Sequence, residues 1–217
     1  DTREFLIVSH ESIGPVVNWV ETNKKFDHLV PSAQGSCLVF TGYIARTISG
    51  QATTLQRNGS DHTASILSYL MKANEVHIWT DVNGVYTADP NKIKRAKLLS
   101  HLSYHEVAEL AYFGSHVLHP KAMVPVIDRG IPMYIRNTFN PTSMGTKIST
   151  PQTSTLHTSS ISYVKGFSSI DRVSLISVEG RGMVGVPGIA KRLFDALSRL
   201  GVSVIMISQA SSEYSIC

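Results

Sequence analysis

Glu75-Val76-His77-Ile78-Trp79-Thr80-Asp81-Val82-Asn83-Gly84 is the stretch on which the reading of this chain turns. Its first six residues predict a strand over Glu75–Thr80, and Asp81-Val82-Asn83-Gly84 predicts a tight turn, because an Asn-Gly pair accepts positive φ at little cost. A helix is predicted just before it, from Ser60-Asp61 to about Lys72, with Ile66, Leu67 and Leu70 on one face. Helix, strand and polar turn thus follow one another directly.

Working outward, Ala88-Asp89-Pro90-Asn91 reads as a second turn, and helices fit Tyr104–Phe113 and Pro120–Arg129, with Gly114 and Gly130 placed as left-handed C-caps. Ile131–Arg136 reads as a further strand. Toward the N-terminus the pattern predicts a strand over Glu4–Ser9 and a helix over Pro15–Phe26 with Val16, Trp19 and Val20 turned inward. It then predicts a strand over Cys37–Tyr43 and an irregular polar loop from Ala45 to Ser60. The alternation argues an α/β fold, a mostly parallel sheet between helices.

Residues Asn140–Ser162 are rich in Ser, Thr and Pro and read as a linker region. Beyond them come a strand over Val173–Val178, an amphipathic helix over Pro187–Leu200 with Ile189, Leu193, Phe194 and Leu197 inward, and a strand over Val202–Ser208. Strand, helix and strand make only part of a domain. The expected organisation is therefore residues 1–149, a linker over 150–162, and a second, partial domain over 163–217. Apolar runs at both ends, Phe5-Leu6-Ile7-Val8 and Ser215-Ile216-Cys217, give the ends the look of cuts through folded structure.

Composition narrows the function classes. At 217 residues with 42% hydrophobic content the chain can fill a real core. The 20 Lys and Arg exceed the 16 Asp and Glu by four, but they are scattered rather than interleaved with aromatics, so nucleic acid is not an expected partner and a small anion is. No apolar run approaches a membrane helix. Cys37 and Cys217 form no CxxC spacing, which excludes a disulfide framework and a thiolate metal site, and a reducing, cytoplasmic compartment is expected.

Three polar segments flank predicted strand ends and helix starts, where open α/β sheets gather ligands. Thr53-Thr54-Leu55-Gln56-Arg57-Asn58-Gly59-Ser60-Asp61 passes straight into a helix, so backbone N–H groups and Arg57 can receive phosphate or carboxylate oxygens. Ordinary N-capping by Ser60 and Asp61 is the plainer alternative. Trp79 to Pro90 follows a strand, and turn chemistry alone accounts for Asp81, Gly84 and Pro90. In Ala111-Tyr112-Phe113-Gly114-Ser115-His116-Val117-Leu118-His119-Pro120 the two His lack clustered carboxylates or thiolates, and the pair reads as structural rather than as a metal site.

Taken together, these segments resemble the aspartate kinase family, which has the amino acid kinase fold. The loop pattern Thr-Thr-Leu-x-Arg-x-Gly-Ser-Asp runs from Thr53 to Asp61, and Trp-Thr-Asp-Val-x-Gly-Val-Tyr-x-x-Asp-Pro from Trp79 to Pro90. Glu109 to Gly114, Val117 to Pro120, Ile135 to Pro141 and Gly145-Thr146 complete the likeness. Val164-Lys165-Gly166-Phe167 and Val173–Cys217 are similar to the opening of a first ACT domain, a ferredoxin-like α+β sensor of amino acids. Ile207-Ser208-Gln209-Ala210-Ser211-Ser212-Glu213 is similar to the version in bifunctional aspartate kinase–homoserine dehydrogenases.

The resemblance implies transfer of the γ-phosphoryl of Mg-ATP to the side-chain carboxylate of L-aspartate, with Arg57 and Asp61 catalytic and Arg57, Gly59 and Ser60 on the substrate. It implies nucleotide contacts from Thr80, Asp81, Tyr86, Lys92, His116 and Val117, and effector contacts from Met183, Val186, Gly188 and Gln209, with threonine as effector. It also implies a homo-oligomer paired through ACT domains, no metal held by the protein itself, and a plastid location in a plant. The acceptor carboxylate, with a pKa of about 4, needs no general base, so Asp61 is expected to organise charge rather than take a proton. Two positions depart from the family: Asn91 stands where Arg is common, with Lys92 beside it, and His116 where Lys is common. The Lys-Phe-Gly-Gly segment that clamps phosphates in the family is absent from these 217 residues, so the chain by itself is expected to have negligible kinase activity. The competing readings are a non-catalytic amino-acid-binding regulatory module, and a kinase for glutamate or uridylate.

Overall fold

The structure, a computed structural model, describes residues 1–11, 14–29, 35–112, 118–151, 164–179, 186–208 and 215–216. The chain forms two compact units, Asp1–Ser169 and Ile170–Cys217.

In the first unit a short 3-10 turn (Thr2–Glu4) leads into β1 (Ile7–Glu11), β2 (Gly14–Val17), α1 (Trp19–Leu29), β3 (Ile44–Thr47), β4 (Ala52–Thr54) and α2 (Gly59–Leu70). There follow β5 (Val76–Thr80), β6 (His101–Leu102), α3 (Tyr104–Tyr112), α4 (Pro120–Arg129), β7 (Met133–Asn137) and β8 (Thr146–Ile148). One sheet has the order β2-β1-β3-β4 and the other β5-β7-β8-β6. Among these six pairings three are parallel (β1 with β3, β5 with β7, β6 with β8) and three antiparallel, so the α/β class holds while the sheets are mixed rather than mostly parallel.

Alternation fixes the second sheet. Val76 and Ile78 of β5, Met133 and Ile135 of β7, Leu102 of β6 and Ile148 of β8 all turn to one face and bury against Ala122, Met123 and Val126 of α4 and Val107 of α3. The helix α2 bridges the two cores: Ile66 is wholly buried with Phe5, Leu6 and Phe26 behind the first sheet, while Ala64 touches the second. Tyr104 donates its hydroxyl to the Ile131 carbonyl, and burial pushes its pKa up to about 12.

Several expectations needed correction. Pro15 lies in β2, paired with His10, and not in the first turn of a helix; α1 begins only at Trp19, and Val20, expected inward, is 78% exposed. Proline has no N–H to lose, which suits an edge strand as well as a helix start. The loop expected over Ala45–Ser60 contains the β3–β4 hairpin, registered by Ile44 opposite Thr54, because Thr-rich polar segments pair when one face is covered. Cys37–Tyr43, expected as a strand, runs without a ladder partner among the described residues, and Val39 is 92% exposed. Apolar content alone cannot make a strand where no neighbouring edge supplies hydrogen bonds.

The second unit holds β9 (Val178–Glu179), α5 (Ile189–Arg199) and β10 (Ser215–Ile216), with β10 antiparallel to β9. As expected, Ile189, Leu193, Phe194 and Leu197 share the covered face of α5, yet none of its residues is fully buried. The strand expected over Val173–Val178 is reduced to Val178–Glu179, and Val202–Ser208 joins no strand ladder among the described residues, with Met206 71% exposed. The expected C-cap at Gly114 and most of the linker fall outside the described residues.

Candidate functional site

The site is assembled by the direction of the helices. The chain leaves α2 at Leu70 and enters β5 at Val76, so the start of α2 and the end of β5 lie at the same edge of the sheet; α4 and β7 repeat the geometry. Because β5 and β7 are parallel and α2 packs along α4, the first turns of both helices and the ends of both strands gather at one end of the unit. Gly59, Ser60 and Asp61 are there from the first turn of α2, Arg57 from the loop just before it, Thr80 from the end of β5 and Asp81 from the turn that follows.

The approach to α2 is tightly bent. Gln56 and Asn58 both take left-handed backbone conformations, with φ of 62° and 58°, which non-glycine residues adopt only when their surroundings hold them there. The clamp is visible: Leu55 N–H donates to the Tyr43 carbonyl (2.8 Å), Tyr43 N–H donates to Thr63 Oγ1 (3.0 Å), and Gly59 N–H donates to the Gln56 carbonyl (3.0 Å). A side chain at Gly59 would stand 2.8 Å from the Tyr43 ring and 3.0 Å from Leu55, so packing and not φ requires glycine there. Asn58, rather than Ser60 or Asp61, is the N-cap, and its side chain does not cap the helix but donates to Asp61 at 3.4 Å. The plain N-capping alternative for Ser60 and Asp61 is thereby set aside. Burial raises the Asp61 pKa above its ordinary value, against hydrogen bonds from Asn58 and Ser60 that lower it.

On the strand side, Thr80 donates to Asp81 (3.1 Å) and Asn83 bridges the turn: its Oδ1 accepts from Asn137 (2.8 Å) and Asn140 (3.3 Å), and its Nδ2 donates to the Tyr86 hydroxyl (3.3 Å). Gly84 has φ 140°, the positive value expected of the Asn-Gly turn, and a Cβ there would lie 2.4 Å from Thr146 Oγ1. Asp89 caps the next turn by accepting from Asn91 N–H, and Lys92 reaches Ser169 at 3.3 Å. Thus Thr80, Asp81, Tyr86 and Lys92 lie along one continuous segment.

A cleft of about 100 Å³ opens beside Arg57, lined by Pro15, Leu55, Gln56, Asn58, His62, His119, Lys121 and Ala122. His62 is held neutral: burial, then the charges of Lys121 and His119, lower its pKa to about 4. His119 is lowered by burial and by Lys121 and Arg57. It caps α4 by accepting Lys121 N–H at Nδ1 (3.1 Å). The sequence reading treated His119 only as half of a structural pair and passed over His62 and Lys121; a His directly before Pro120 at a helix start was the available signal. His116, Val117, Met183 and Gln209 lie outside the described residues; Gly188 precedes α5 at φ 88° and Val186 is exposed.

A family model described as "Amino acid kinase family" matches residues 14–137. The chain belongs to the amino acid kinase family. A second model, "ACT domain", matches residues 176–217. This amino acid kinase chain is 45% identical over all of its length to the chloroplastic bifunctional aspartokinase/homoserine dehydrogenase 2 of Arabidopsis thaliana, covering 24% of that protein. It is 41% identical to the bifunctional aspartokinase/homoserine dehydrogenase of Haemophilus influenzae, with 90% of the chain and 23% of that protein aligned. It therefore spans about a quarter of the length of these curated relatives, here 24% and 23%. Among solved structures it is similar to E. coli aspartokinase III in complex with aspartate and ADP, with a TM-score of 0.73 and 25% identity, covering 100% of this chain and 47% of that one. The expected resemblance to aspartate kinases, with an amino acid kinase fold followed by ACT sequence, stands.

Proposed function

We propose that this chain is the C-terminal part of an aspartate kinase domain running into an ACT domain, and that it binds ATP and L-aspartate at the shared end of α2 and β5. The observation that carries the reading is the convergence there of Arg57 and Asp61 with Thr80 and Asp81. In this reading Arg57, Gly59 and Ser60 face aspartate and the transferred phosphoryl group, Asp61 orders the charges around them, and Thr80, Asp81, Tyr86, Lys92, His116 and Val117 receive the nucleotide. Such a site works by positioning and charge neutralisation, since the acceptor carboxylate is already ionised.

In the same reading magnesium enters bound to the nucleotide phosphates. The ACT residues Met183, Val186, Gly188 and Gln209 are proposed effector contacts for threonine, with pairing of ACT domains as the route to an oligomer. The relatives' names support this reading, as does the likeness to the E. coli aspartokinase solved with aspartate and ADP. No helix among the described residues is long and apolar enough to cross a membrane, and the proposed location is the cytoplasm, or a plastid in a plant.

The test is aspartate-dependent ADP formation by the longest product of the native coding sequence that contains these residues, beside its Arg57→Ala and Asp61→Asn variants. Turnover lowered about a hundredfold or more in either variant is expected, with the 217-residue chain itself at background. Phosphorylation of a different acceptor, or turnover indifferent to Arg57, would overturn the proposal.

A further inference from the structure

We propose that the cleft between the first turns of α2 and α4 is an anion site in which Lys121, His62 and His119 stand beside Arg57 and together hold one carboxylate or phosphate group. This rests on the reading above that this end of the sheet receives the substrates, and it adds His62 and Lys121, which lie outside the family motifs, to Arg57 and His119, which lie within them.

The lining decides the sign of the ligand. Four of the nine residues around the cleft carry basic nitrogen, and none is acidic. At about 100 Å³ the space suits one small polyatomic anion and is well short of what a whole nucleotide needs. Both helices point their N-terminal ends at it: Pro120 opens α4, and α2 opens after Asn58, whose side chain does not occupy the first-turn N–H groups. The positive dipole ends of both helices favour an anion there, and α2 adds N–H groups that its N-cap side chain leaves unbonded, whereas at α4 His119 already accepts the Lys121 N–H.

The charges on the walls point the same way. Burial, then the charge of Lys121, lowers the pKa of both rings, with His119 adding to the effect at His62 and Arg57 at His119. His119 accepts the Lys121 N–H through Nδ1, which places its own proton on Nε2 as a donor. An anion entering among these groups reverses the balance: it pairs with Lys121 and Arg57 and favours protonation of His62. The groups that face His62 are Lys121 and His119 from α4 and Arg57 from the loop, with Asp61 its neighbour on α2. Binding should therefore take up a proton and tighten as pH falls from about 7.5 to about 5.5.

The test follows the ring resonances of His62 and His119 by NMR in the whole chain, titrated separately with inorganic phosphate and with L-aspartate. The expected result is a rise of the His62 pKa from about 4 to about 6.5 with at least one of them, and affinity about tenfold higher at the lower pH. Lys121→Met should weaken binding about tenfold and raise the His62 pKa of the empty protein, whereas Lys121→Arg should retain binding. A response to phosphate without one to aspartate sustains the site and assigns it to phosphoryl groups, while removing support for aspartate binding. Both rings indifferent to both anions in a folded chain, or affinity unaltered by Lys121→Met, would overturn the inference. Aspartate-dependent turnover of the longer product with unchanged kcat/KM in Lys121→Met would overturn it too and leave the proposed function intact.

Discussion

Asn137 donates through Nδ2 to Asn83 Oδ1 across 2.8 Å, tying the last residue of β7 to the turn that follows β5, and its own Oδ1 accepts Phe139 N–H at 2.9 Å. Asn137 is buried, so its amide must be satisfied from within the protein. Asn137→Ala strands Asn83 and Phe139 and is expected to cost about 2 kcal/mol. Thermal unfolding should fall by roughly 4–8 °C; an unaltered midpoint would show that the bridge contributes nothing to the turn.

Gly84 and Gly130 separate packing from backbone conformation. Both have positive φ, but a Cβ at Gly84 would lie 2.4 Å from Thr146 Oγ1, whereas nothing stands within 4 Å of one at Gly130. Gly130→Ala should therefore cost only the left-handed strain, about 1 kcal/mol. Gly84→Ala adds the displacement of Thr146, which accepts Val85 N–H and donates to the Leu99 carbonyl, and should cost about 3 kcal/mol or more in urea unfolding. Equal costs at the two sites would refute the packing account.

His62 makes stability depend on pH with a definite sign. Its pKa is about 4 in the folded chain against 6.5 in its ordinary state, so between these values the unfolded chain binds the extra proton and stability falls as pH falls. The full loss is about 3 kcal/mol. His101 and His119 act in the same direction. Asp61, whose pKa is raised, opposes them above its ordinary 3.8, because its folded form keeps the proton longer. Urea midpoints measured near pH 7 and near pH 5 should differ in the native chain, and His62→Gln should remove most of that difference.

Glu106 serves two roles that mutation can divide. With Ser103 it forms a capping box at the start of α3, accepting Ser103 N–H at 2.8 Å while Ser103 Oγ accepts Glu106 N–H at 3.2 Å, and it also pairs with Lys165 at 2.6 Å. Burial works to raise its pKa, but the bonds from Lys165 and Ser103 outweigh burial and lower it. Lys165→Ala removes only a half-exposed ion pair, a loss of less than about 1 kcal/mol. Glu106→Ala removes the cap as well and should cost about 1–2 kcal/mol. Equal effects in thermal melts would mean the capping box is idle.

How much of this could be read beforehand differed by segment. The helices over Tyr104–Tyr112, Pro120–Arg129 and Ile189–Arg199 and the strand over Val76–Thr80 were legible, because each carries its apolar residues on one face at the period of its own element, which is a local pattern. The strand expected at Cys37–Tyr43 was not, since a strand exists only where another edge accepts its hydrogen bonds, and that is a property of distant residues. Pro15 misled for a related reason: an edge strand and a first helical turn tolerate it equally. The capping box at Ser103 and Glu106 is written in the Ser-x-x-Glu spacing at the start of α3, a local signal that needs no tertiary partner.

The sequence by itself determined the chemistry on offer, the Arg57 to Asp61 loop and the Thr80 to Asp89 segment, since residue types and their spacing are local facts. Only the tertiary structure decided that His62 of α2 and Lys121 of α4 share a cleft, and that burial first and then charge crowding keep His62 neutral there. The reason is that desolvation and charge crowding act through space: residues 59 positions apart in the chain are neighbours only once α2 and α4 have packed side by side.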